Sequence, residues 1–371
     1  MAENLYSKYR PLVFSEVFGQ EKIVKELEQR CKENTIPFAS LMDGFTGSGK
    51  TTLAKIVAKN LLCQHKDKLG NSCNKCEHCV GVISEQPTNY YYEYNASNIG
   101  IEEMRDIDNL AGMYGLSTAK AKVIVIDELQ ELSNNQKAMK NILKVLERPM
   151  EDVYFILLTM DSSKVPTAIK NRTVQYKLKP HNFEDISKYL YSICQKENIE
   201  IDTSEKADTL IAIAQNSYGS MRTAVSYLER CIYSEIWNKD TLIEELNLIS
   251  NENLIDVINK ILTGDITAVN TKIDKELLDR IKYILNIVYK HKSGLNLNTY
   301  EIGYAKGIKS CSIEVIENTI ATYQDLIKFP YVNNEIIEFT TISLINRNKK
   351  SNKLNETIEP VTEEPRRRRL P

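Results

Sequence analysis

A glycine-rich loop between an apolar segment and an amphipathic segment constrains the fold of this chain more than any other feature. Residues 44–51 read GFTGSGKT, which is the full pattern of a phosphate-binding loop. The strand-like segment 38–43 precedes the loop, and helical periodicity follows it over 51–62. Glycines let the backbone amides approach a polyphosphate, and the start of the helix adds partial positive charge. The loop therefore predicts a nucleotide-binding site on an α/β fold.

The residues of this loop have distinct expected roles. Lys50 is expected to reach the β- and γ-phosphates, and the Thr51 hydroxyl is expected to bind Mg²⁺. The candidate nucleotide-binding residues of the segment are Gly44, Thr46, Gly47, Ser48, Gly49, Lys50, Thr51 and Thr52. An accidental glycine-rich loop is the alternative, and the complete match with its flanking segments argues against it. The segment predicts binding of ATP with Mg²⁺.

A second apolar run supports the nucleotide site. Residues 123–126 read VIVI, as expected of a parallel strand that is buried on both faces. The run ends in Asp127 and Glu128. Asp127 can hold Mg²⁺, and Glu128 can polarise the water that attacks a phosphate. The alternative is a charged strand end without a function, and the intact loop argues against it.

A cluster of four cysteines follows the predicted loop helix. Its members are Cys63, Cys73, Cys76 and Cys79. Four thiolates at this spacing are typical of a structural, tetrahedral Zn²⁺ site, which has no open position for catalysis. Disulfides are disfavoured, because the chain shows no secretory leader and the loop implies cytosolic ATP. A redox role for a C-x2-C pair stays open, and so does ligation by His65 or His78 in place of one cysteine.

The distribution of apolar residues predicts several domains in this chain of 371 residues. Alternating strands and helices predict a parallel α/β domain over 1–179, with the cysteine cluster inserted at 63–79. Helical periodicity predicts a small helical lid domain over 180–238 and an all-helical collar domain over 239–346. The tail over 347–371 is polar, ends in an arginine run, and is expected to be disordered.

Charge and hydropathy limit the classes of partner. The net charge of −2 gives no general attraction to nucleic acid, so any DNA contact requires a local basic surface. No apolar run reaches the roughly 18 residues that a membrane span needs. We therefore expect a cytoplasmic protein without a membrane partner.

Several separated motifs, in one order, resemble the gamma/tau subunits of bacterial DNA polymerase III, which are AAA+ clamp-loader ATPases. The first is KYRPLVFSEVFGQ at residues 8–20, and the phosphate loop and the cysteine cluster follow it. The later motifs lie at residues 95–97, 103–106, 127–128, 159–161, 170–173 and 219–224. The resemblance is specific to about residue 235, and the last helical segment matches only in type and length. It implies an AAA+ fold with a zinc knuckle, a lid domain and a collar domain.

The resemblance also implies roles for individual residues outside the loop. Val17 belongs to the segment that packs on the adenine, and Thr159 would sense the γ-phosphate. Arg172 would act as an arginine finger on the ATP of a neighbouring subunit, where its charge stabilises the transition state. Arg222 would report the bound nucleotide to the lid domain. Arg105 would contact DNA phosphates without reading bases.

This chain departs from the family pattern at three of these motifs. The finger motif reads NRT at 171–173 in place of S-R-C. Residues 127–130 read DELQ, where the family has a histidine at the last position. Thr223 replaces the usual aspartate after the lid arginine. The changes spare the catalytic groups and suggest a divergent member, and both a bacterial and a phage origin stay open.

The function implied by the resemblance is that of the ATPase subunit of a clamp loader, with ATP, Mg²⁺ and Zn²⁺ as cofactors. Its expected partners are other loader subunits in a hetero- or homo-pentamer, a sliding clamp, primer–template DNA and the replicative polymerase. The expected location is the bacterial cytosol, or the host cytosol for a phage protein. Two alternatives stay open: a scaffold that links polymerase and helicase, and another AAA+ replication motor such as a helicase loader.

Overall fold

The computed structural model describes most of the chain and divides it into two compact units, Met1–Leu246 and Asn247–Pro371. The described residues are 4–67, 70–84, 88–112, 119–148, 150–246, 251–271, 273, 275–295, 297, 302, 305–309, 311–327 and 333–356. Among them, no helix combines the length and the apolar character that a membrane span requires.

The first unit contains a five-stranded sheet in the order β2-β3-β4-β1-β5, and every neighbouring pair is parallel. Its strands are β1 (Ala39–Asp43), β2 (Tyr91–Asn95), β3 (Lys122–Asp127), β4 (Val153–Thr159) and β5 (Val174–Lys177). The strands are parallel, so their carboxyl ends share one edge. In register, Asp43 lies beside Thr159, and Asn95 lies beside Asp127. This edge therefore gathers the phosphate loop and the acidic pair.

Helices cover both faces of the sheet, as continuous apolar strands require. They are α2 (Glu21–Glu33), α3 (Lys50–Leu62), α4 (Glu77–Ser84), α5 (Ile101–Gly112), α6 (Gln136–Leu146) and α7 (Thr167–Lys170), and a short helix, α1 (Leu5–Lys8), precedes them. Residues of α2 and α3 pack with Val123 and Val125 of β3 on one face. Residues of α5 and α6 pack with Ile124 and Ile126 on the other. The alternation along β3 thus divides the core into two layers.

Four further helices of the first unit form a separate apolar cluster. They are α8 (Phe183–Lys196), α9 (Ser204–Asn216), α10 (Met221–Tyr233) and α11 (Lys239–Glu245). Asn182, Thr203 and Ser220 each cap a helix, because their side chains accept hydrogen bonds from backbone amides of the first turn. We call α8–α11 the lid helices.

Two segments lie with the lid helices although the sequence assigned them elsewhere. Leu242 of α11 is buried in the lid cluster, so residues 239–246 belong to the first unit and not to the predicted collar domain over 239–346. Leu5 of α1 is buried in the same cluster, and its amide donates to Glu229 Oε1 on α10 at 2.8 Å. In both segments, burial of a leucine side chain in the lid cluster determines where the segment packs.

The long secondary-structure elements described in the second unit are all α-helices. These are α12 (Asn251–Thr263), α13 (Lys275–Lys292), α14 (Ile313–Ile327) and α15 (Asn334–Glu356), which surround one apolar core. The parallel sheet, the inserted cysteine cluster and the helical remainder confirm the predicted fold class.

The prediction of a disordered tail from residue 347 is wrong for residues 347–356, which continue α15. Asn348 is 2% exposed and donates to the Ile261 carbonyl at 3.0 Å. Asn352 donates to the Leu262 carbonyl, also at 3.0 Å. Those carbonyls belong to the last turn of α12, where carbonyls lack partners within the helix. The remaining predicted tail, residues 357–371, lies outside the described residues.

Candidate functional site

The phosphate loop joins the end of β1 to the start of α3. Gly47 and Gly49 have φ angles of +74° and +98°, a region that favours glycine. A Cβ at Gly47 would also collide with the Ser220 hydroxyl at the start of α10. The Met221 amide donates to the Gly47 carbonyl at 3.2 Å. The loop therefore contacts the lid helices directly.

Lys50 and Thr51 open α3 beneath this loop. Lys50 is buried, and its Nζ donates to the Gly44 carbonyl at 2.8 Å and to the Phe45 carbonyl at 3.1 Å. Burial lowers the pKa of Lys50, while Asp127 opposes this shift. Thr51 Oγ1 donates to Asp127 Oδ2 at 3.2 Å. The two predicted Mg²⁺ ligands thus lie in contact, and a hydroxyl with a carboxylate suits a hard cation.

Glu128 follows Asp127 in the left-handed conformation, with φ of +56°. Its carboxylate accepts a hydrogen bond from Asn95 Nδ2 at 3.0 Å, across the neighbouring strand end of β2. The backbone conformation of Glu128 and this bond together fix the direction of the carboxylate. The sequence identified Asn95 only as part of a motif, and parallel pairing of β2 with β3 gives it this contact.

Thr159 and Gln130 form a buried pair next to the loop. Thr159 is fully buried, and its Oγ1 donates to Gln130 Oε1 at 2.9 Å. The same oxygen accepts from the Met160 amide at 3.1 Å. Gln130 is the residue that departs from the family tetrapeptide. The predicted γ-phosphate contact of Thr159 would therefore require its hydroxyl proton to leave Gln130.

Two adjoining cavities lie at this edge of the sheet. The phosphate-side cavity is lined by Lys50, Thr51, Asp127, Glu128, Met160 and Arg222, among others. The base-side cavity is lined by Arg10, Pro11, Val17, Phe18, His181 and Tyr189, among others. Tyr6, Gly47, Gly49 and Thr52 line both. The structure thus brings Val17 and Arg222, which the resemblance implied, to the same site as the loop.

Tyr6 is a site residue that the sequence reasoning missed. Two guanidinium groups lie over its ring, with Arg10 at 5.1 Å and Arg222 at 5.0 Å from the ring centroid. Tyr6 lines both cavities and so lies where they join. The only sequence signal for it is an aromatic residue shortly before the motif at residues 8–20.

His181 is a second lining residue that the sequence did not indicate. It follows β5 and is buried, and burial lowers its pKa. Its amide donates to the Gly219 carbonyl at 3.0 Å, which ties the start of α8 to the turn before α10. Its imidazole forms part of the wall of the base-side cavity.

Two predicted residues lie away from these cavities. Arg172 follows α7, and its Nη2 pairs with Glu147 Oε1 at 2.7 Å while its Nη1 donates to the Ala168 carbonyl at 2.9 Å. Its side chain is 37% exposed, so a second chain can reach it. Arg105 lies on α5 and is exposed. Neither residue lines the cavities of its own chain described above.

The four cysteines meet in one cluster, with all Sγ atoms within 4.8 Å of one another. The Sγ atoms of Cys73 and Cys79 are 4.0 Å apart. A tetrahedral Zn²⁺ site with Zn–S distances of about 2.3 Å places sulfurs about 3.8 Å apart. The geometry therefore fits zinc. Among the described residues, neither His65 nor His78 joins the group, and His78 instead packs edge-on against Tyr90.

Backbone donors favour thiolates in this cluster. The Cys76 amide donates to Cys73 Sγ, and the Cys73 amide donates to Cys63 Sγ, both at 3.3 Å. Burial by itself would raise the pKa of Cys73, but backbone amides and neighbouring thiols lower it to about 6. Burial raises the pKa of Cys79. A cation at the centre of the cluster would favour the thiolate form of all four.

Sequence comparison finds relatives along most of the chain. The family model described as DNA polymerase III, delta subunit, matches residues 19–182. The DNA polymerase III subunit gamma of Buchnera aphidicola subsp. Baizongia pistaciae is 33% identical over 268 residues, which cover 71% of this chain and 69% of that protein. The gamma/tau subunit of Mycoplasma genitalium is 29% identical over 334 residues, covering 89% of this chain and 53% of that protein.

The chain is also similar to a further relative and to a solved structure. DNA polymerase III subunit tau of Bacillus subtilis is 33% identical over 228 residues, covering 62% of this chain and 39% of that protein. Among solved structures, the Thermotoga maritima RuvB Holliday junction branch migration motor is 17% identical with a TM-score of 0.48, covering 86% of this chain and 92% of that chain. The identity to the Buchnera subunit over more than two thirds of both chains establishes the family. This chain therefore belongs to the gamma/tau family of bacterial DNA polymerase III.

Proposed function

We propose that this chain is the ATPase subunit of a DNA polymerase clamp loader, which uses ATP to open a sliding clamp and place it on primer–template DNA. The observation that carries this proposal is the convergence of two elements on one cavity. Lys50, Asp127 and Glu128 come from the sheet edge, while Arg222 comes from the lid helices. A polyphosphate in this cavity would contact both elements.

The hydrolytic roles follow from the contacts. Thr51 and Asp127, which lie 3.2 Å apart, would hold Mg²⁺, which neutralises charge on the phosphate oxygens when bound. Lys50 would exchange its carbonyl partners for phosphate oxygens. Glu128, oriented by Asn95, would position and polarise the attacking water.

Two arginines, Arg222 and Arg172, would couple ATP hydrolysis to movement of the lid helices and to assembly of the subunits. Arg222 lies on α10, so its contact with the γ-phosphate would make the position of the lid helices depend on the nucleotide. Arg172 would leave Glu147 and reach the ATP of a neighbouring subunit, where its charge stabilises the transition state. An exposed ion pair of this kind contributes about 0–1 kcal/mol, so its exchange costs little. Hydrolysis would then require an assembled oligomer.

The proposed partners are those of a clamp loader. Other loader subunits would form a hetero- or homo-pentamer with this chain, and the second unit would form its collar. Primer–template DNA would be held through phosphate contacts, with Arg105 on the exposed face of α5 as one candidate. The cysteine cluster would hold Zn²⁺ as a structural ion, because its four thiols leave no open coordination position.

The experiment that tests this function measures retention of a labelled sliding clamp on primed circular DNA. The full chain is combined with the other loader subunits and the clamp of the same genome. We expect ATP-dependent retention with the wild type and loss of retention with Lys50→Ala. Retention that is equal with and without ATP, or unaffected by Lys50→Ala, would contradict the proposal.

A further inference from the structure

Lys59 is a buried lysine in the last turn of the loop helix α3, and it connects two distant parts of the chain. Its side chain is only 1% exposed. Its Nζ donates to the Leu12 carbonyl at 2.5 Å and to Asn74 Oδ1 at 2.6 Å. A buried ammonium without partners is costly, so the two acceptors are needed where Lys59 lies. Each acceptor belongs to a different site.

The first acceptor belongs to the wall of the base-side cavity. Leu12 follows Pro11 and precedes Val17, and both of these line that cavity. The Leu12 amide donates to Glu16 Oε2 at 2.8 Å, and its carbonyl accepts from Lys59. The backbone of this wall is therefore fixed by Glu16 and by Lys59. Of these two residues, Lys59 lies on α3, the helix that follows the phosphate loop.

The second acceptor belongs to the cysteine turn. Asn74 lies between Cys73 and Cys76 and adopts the left-handed conformation, with φ of +57°. Its Oδ1 also accepts from the Ser72 hydroxyl at 3.3 Å. A metal bound by both cysteines would fix this turn, and with it the position of Oδ1. Four thiolates around Zn²⁺ also carry a net negative charge next to the ammonium.

We propose that Lys59 couples the cysteine cluster to the nucleotide cavity, so that zinc in the cluster tightens nucleotide binding. With zinc bound, Asn74 is fixed and Lys59 is held against Leu12, which keeps the wall at Pro11 and Val17 in place. Without zinc, the turn loosens and the wall loses this support. By linkage, a bound nucleotide raises the affinity of the cluster for zinc by the same factor. The coupling rests on the proposed function of the cavity as a nucleotide site. It makes zinc, besides the residues of the cavity, a factor that sets the nucleotide affinity.

A matched control residue lies one turn earlier on the same helix. Lys55 is also buried, at 5% exposure, and pairs with Glu93 on β2 at 3.4 Å. Its ion pair leads to the sheet and not to the cysteine turn. Replacing Lys55 by methionine therefore removes a buried lysine while leaving the bonds of Lys59 to Leu12 and Asn74 in place.

The experiment compares the zinc-loaded and zinc-stripped full chain. The Kd of a fluorescent ATP analogue is measured for wild type, Lys59→Met and Lys55→Met. The affinity for zinc is measured by equilibrium competition with a colorimetric chelator, with and without ATP. We expect zinc to lower the wild-type Kd about 5-fold or more, within the usual range of couplings between sites. We expect ATP to raise the affinity for zinc, Lys59→Met to abolish both effects, and Lys55→Met to retain them.

The coupling is overturned if the wild-type Kd is the same with and without zinc, or if Lys59→Met retains the effect. Should Lys59→Met fail to fold, Asn74→Gly removes the acceptor from the cysteine side, and glycine tolerates the positive φ. The same loss of coupling is expected from that variant. Absence of nucleotide binding in every form contradicts the proposed function itself. Binding without dependence on zinc contradicts the coupling alone.

Discussion

The guanidinium carbon of Arg222 lies 5.0 Å from the centroid of the Tyr6 ring, where the phosphate-side and base-side cavities join. The two residues come from opposite ends of the first unit, yet α1 and α10 are held together through Leu5 and Glu229. Helix α1 thus packs with the lid helices. A nucleotide in these cavities would contact Tyr6 and Arg222 as one surface.

Replacement of Tyr6 tests this relationship. A cation–π pair contributes about 0.5–2 kcal/mol, so Tyr6→Leu should weaken ATP binding roughly 2- to 30-fold because Arg222 loses its orientation. Tyr6→Phe keeps the ring and loses only the 3.5 Å hydrogen bond from Arg222 Nη2 to the Tyr6 hydroxyl, so it should bind ATP much like the wild type. Titration with a fluorescent ATP analogue measures both variants. Equal ATP affinities of Tyr6→Leu and the wild type would show that Tyr6 does not contribute to nucleotide binding.

Arg172 should act on a different chain from the one that carries it. Arg172→Ala should lower turnover on the order of 10³-fold without changing the Kd of ATP, because the residue lies away from its own cavities. Addition of excess Lys50→Ala chains, which keep Arg172, should restore turnover in part. Arg148→Ala is the matched control, since Arg148 is an exposed arginine next to Glu147. The prediction is contradicted if Lys50→Ala chains do not restore turnover and Arg172→Ala binds ATP more weakly. Arg172 would then act on the nucleotide of its own chain.

The cysteine cluster should hold about one zinc ion per chain when the protein is purified without chelators. Cys73→Ser should reduce the zinc content well below this value, because it removes one of the four thiols that meet within 4.8 Å. Cys311→Ser is the control, since Cys311 lies in the second unit and outside the cluster. Elemental analysis of the three proteins decides the question. Zinc far below one ion per wild-type chain would refute the assignment.

His181 should make stability dependent on pH in the weakly acidic range. Its pKa in the folded chain is lowered by burial from the ordinary value of 6.5, so the unfolded chain binds the proton more readily. The stability that depends on uncharged His181 is therefore fully present above about pH 6.5, and it is lost as the pH falls below that value. The Tm of the wild type should fall more than that of His181→Leu between about pH 7.5 and about pH 5.5. The same fall in both proteins would contradict this role.

The sheet and the phosphate-binding elements could be predicted because each depends on local sequence. The VIVI run before Asp127 and the loop at 44–51 specify their own conformations, and parallel strands bring their ends together. The cluster of four cysteines also follows from spacing alone. These features confirm the fold class predicted from the sequence.

Other features depend on contacts between residues far apart in the sequence. The bond between Thr159 and Gln130 requires knowledge that β3 and β4 are neighbours. The position of Tyr6 depends on α1 packing against α10, more than 200 residues away. Asn348 looks like part of a polar tail, but it is buried against a carbonyl in the last turn of α12. Such partners are set by tertiary structure and leave no local pattern.

Steady-state ATP hydrolysis tests the central claim most directly. Turnover by the full chain is measured alone, with the sliding clamp and primed DNA, and for Lys50→Ala as the inactive control. A clamp-loading motor should hydrolyse ATP slowly alone and be strongly stimulated by clamp and primed DNA together, with no turnover from Lys50→Ala. Wild-type turnover that clamp and primed DNA do not change, or no turnover at all, would contradict the account.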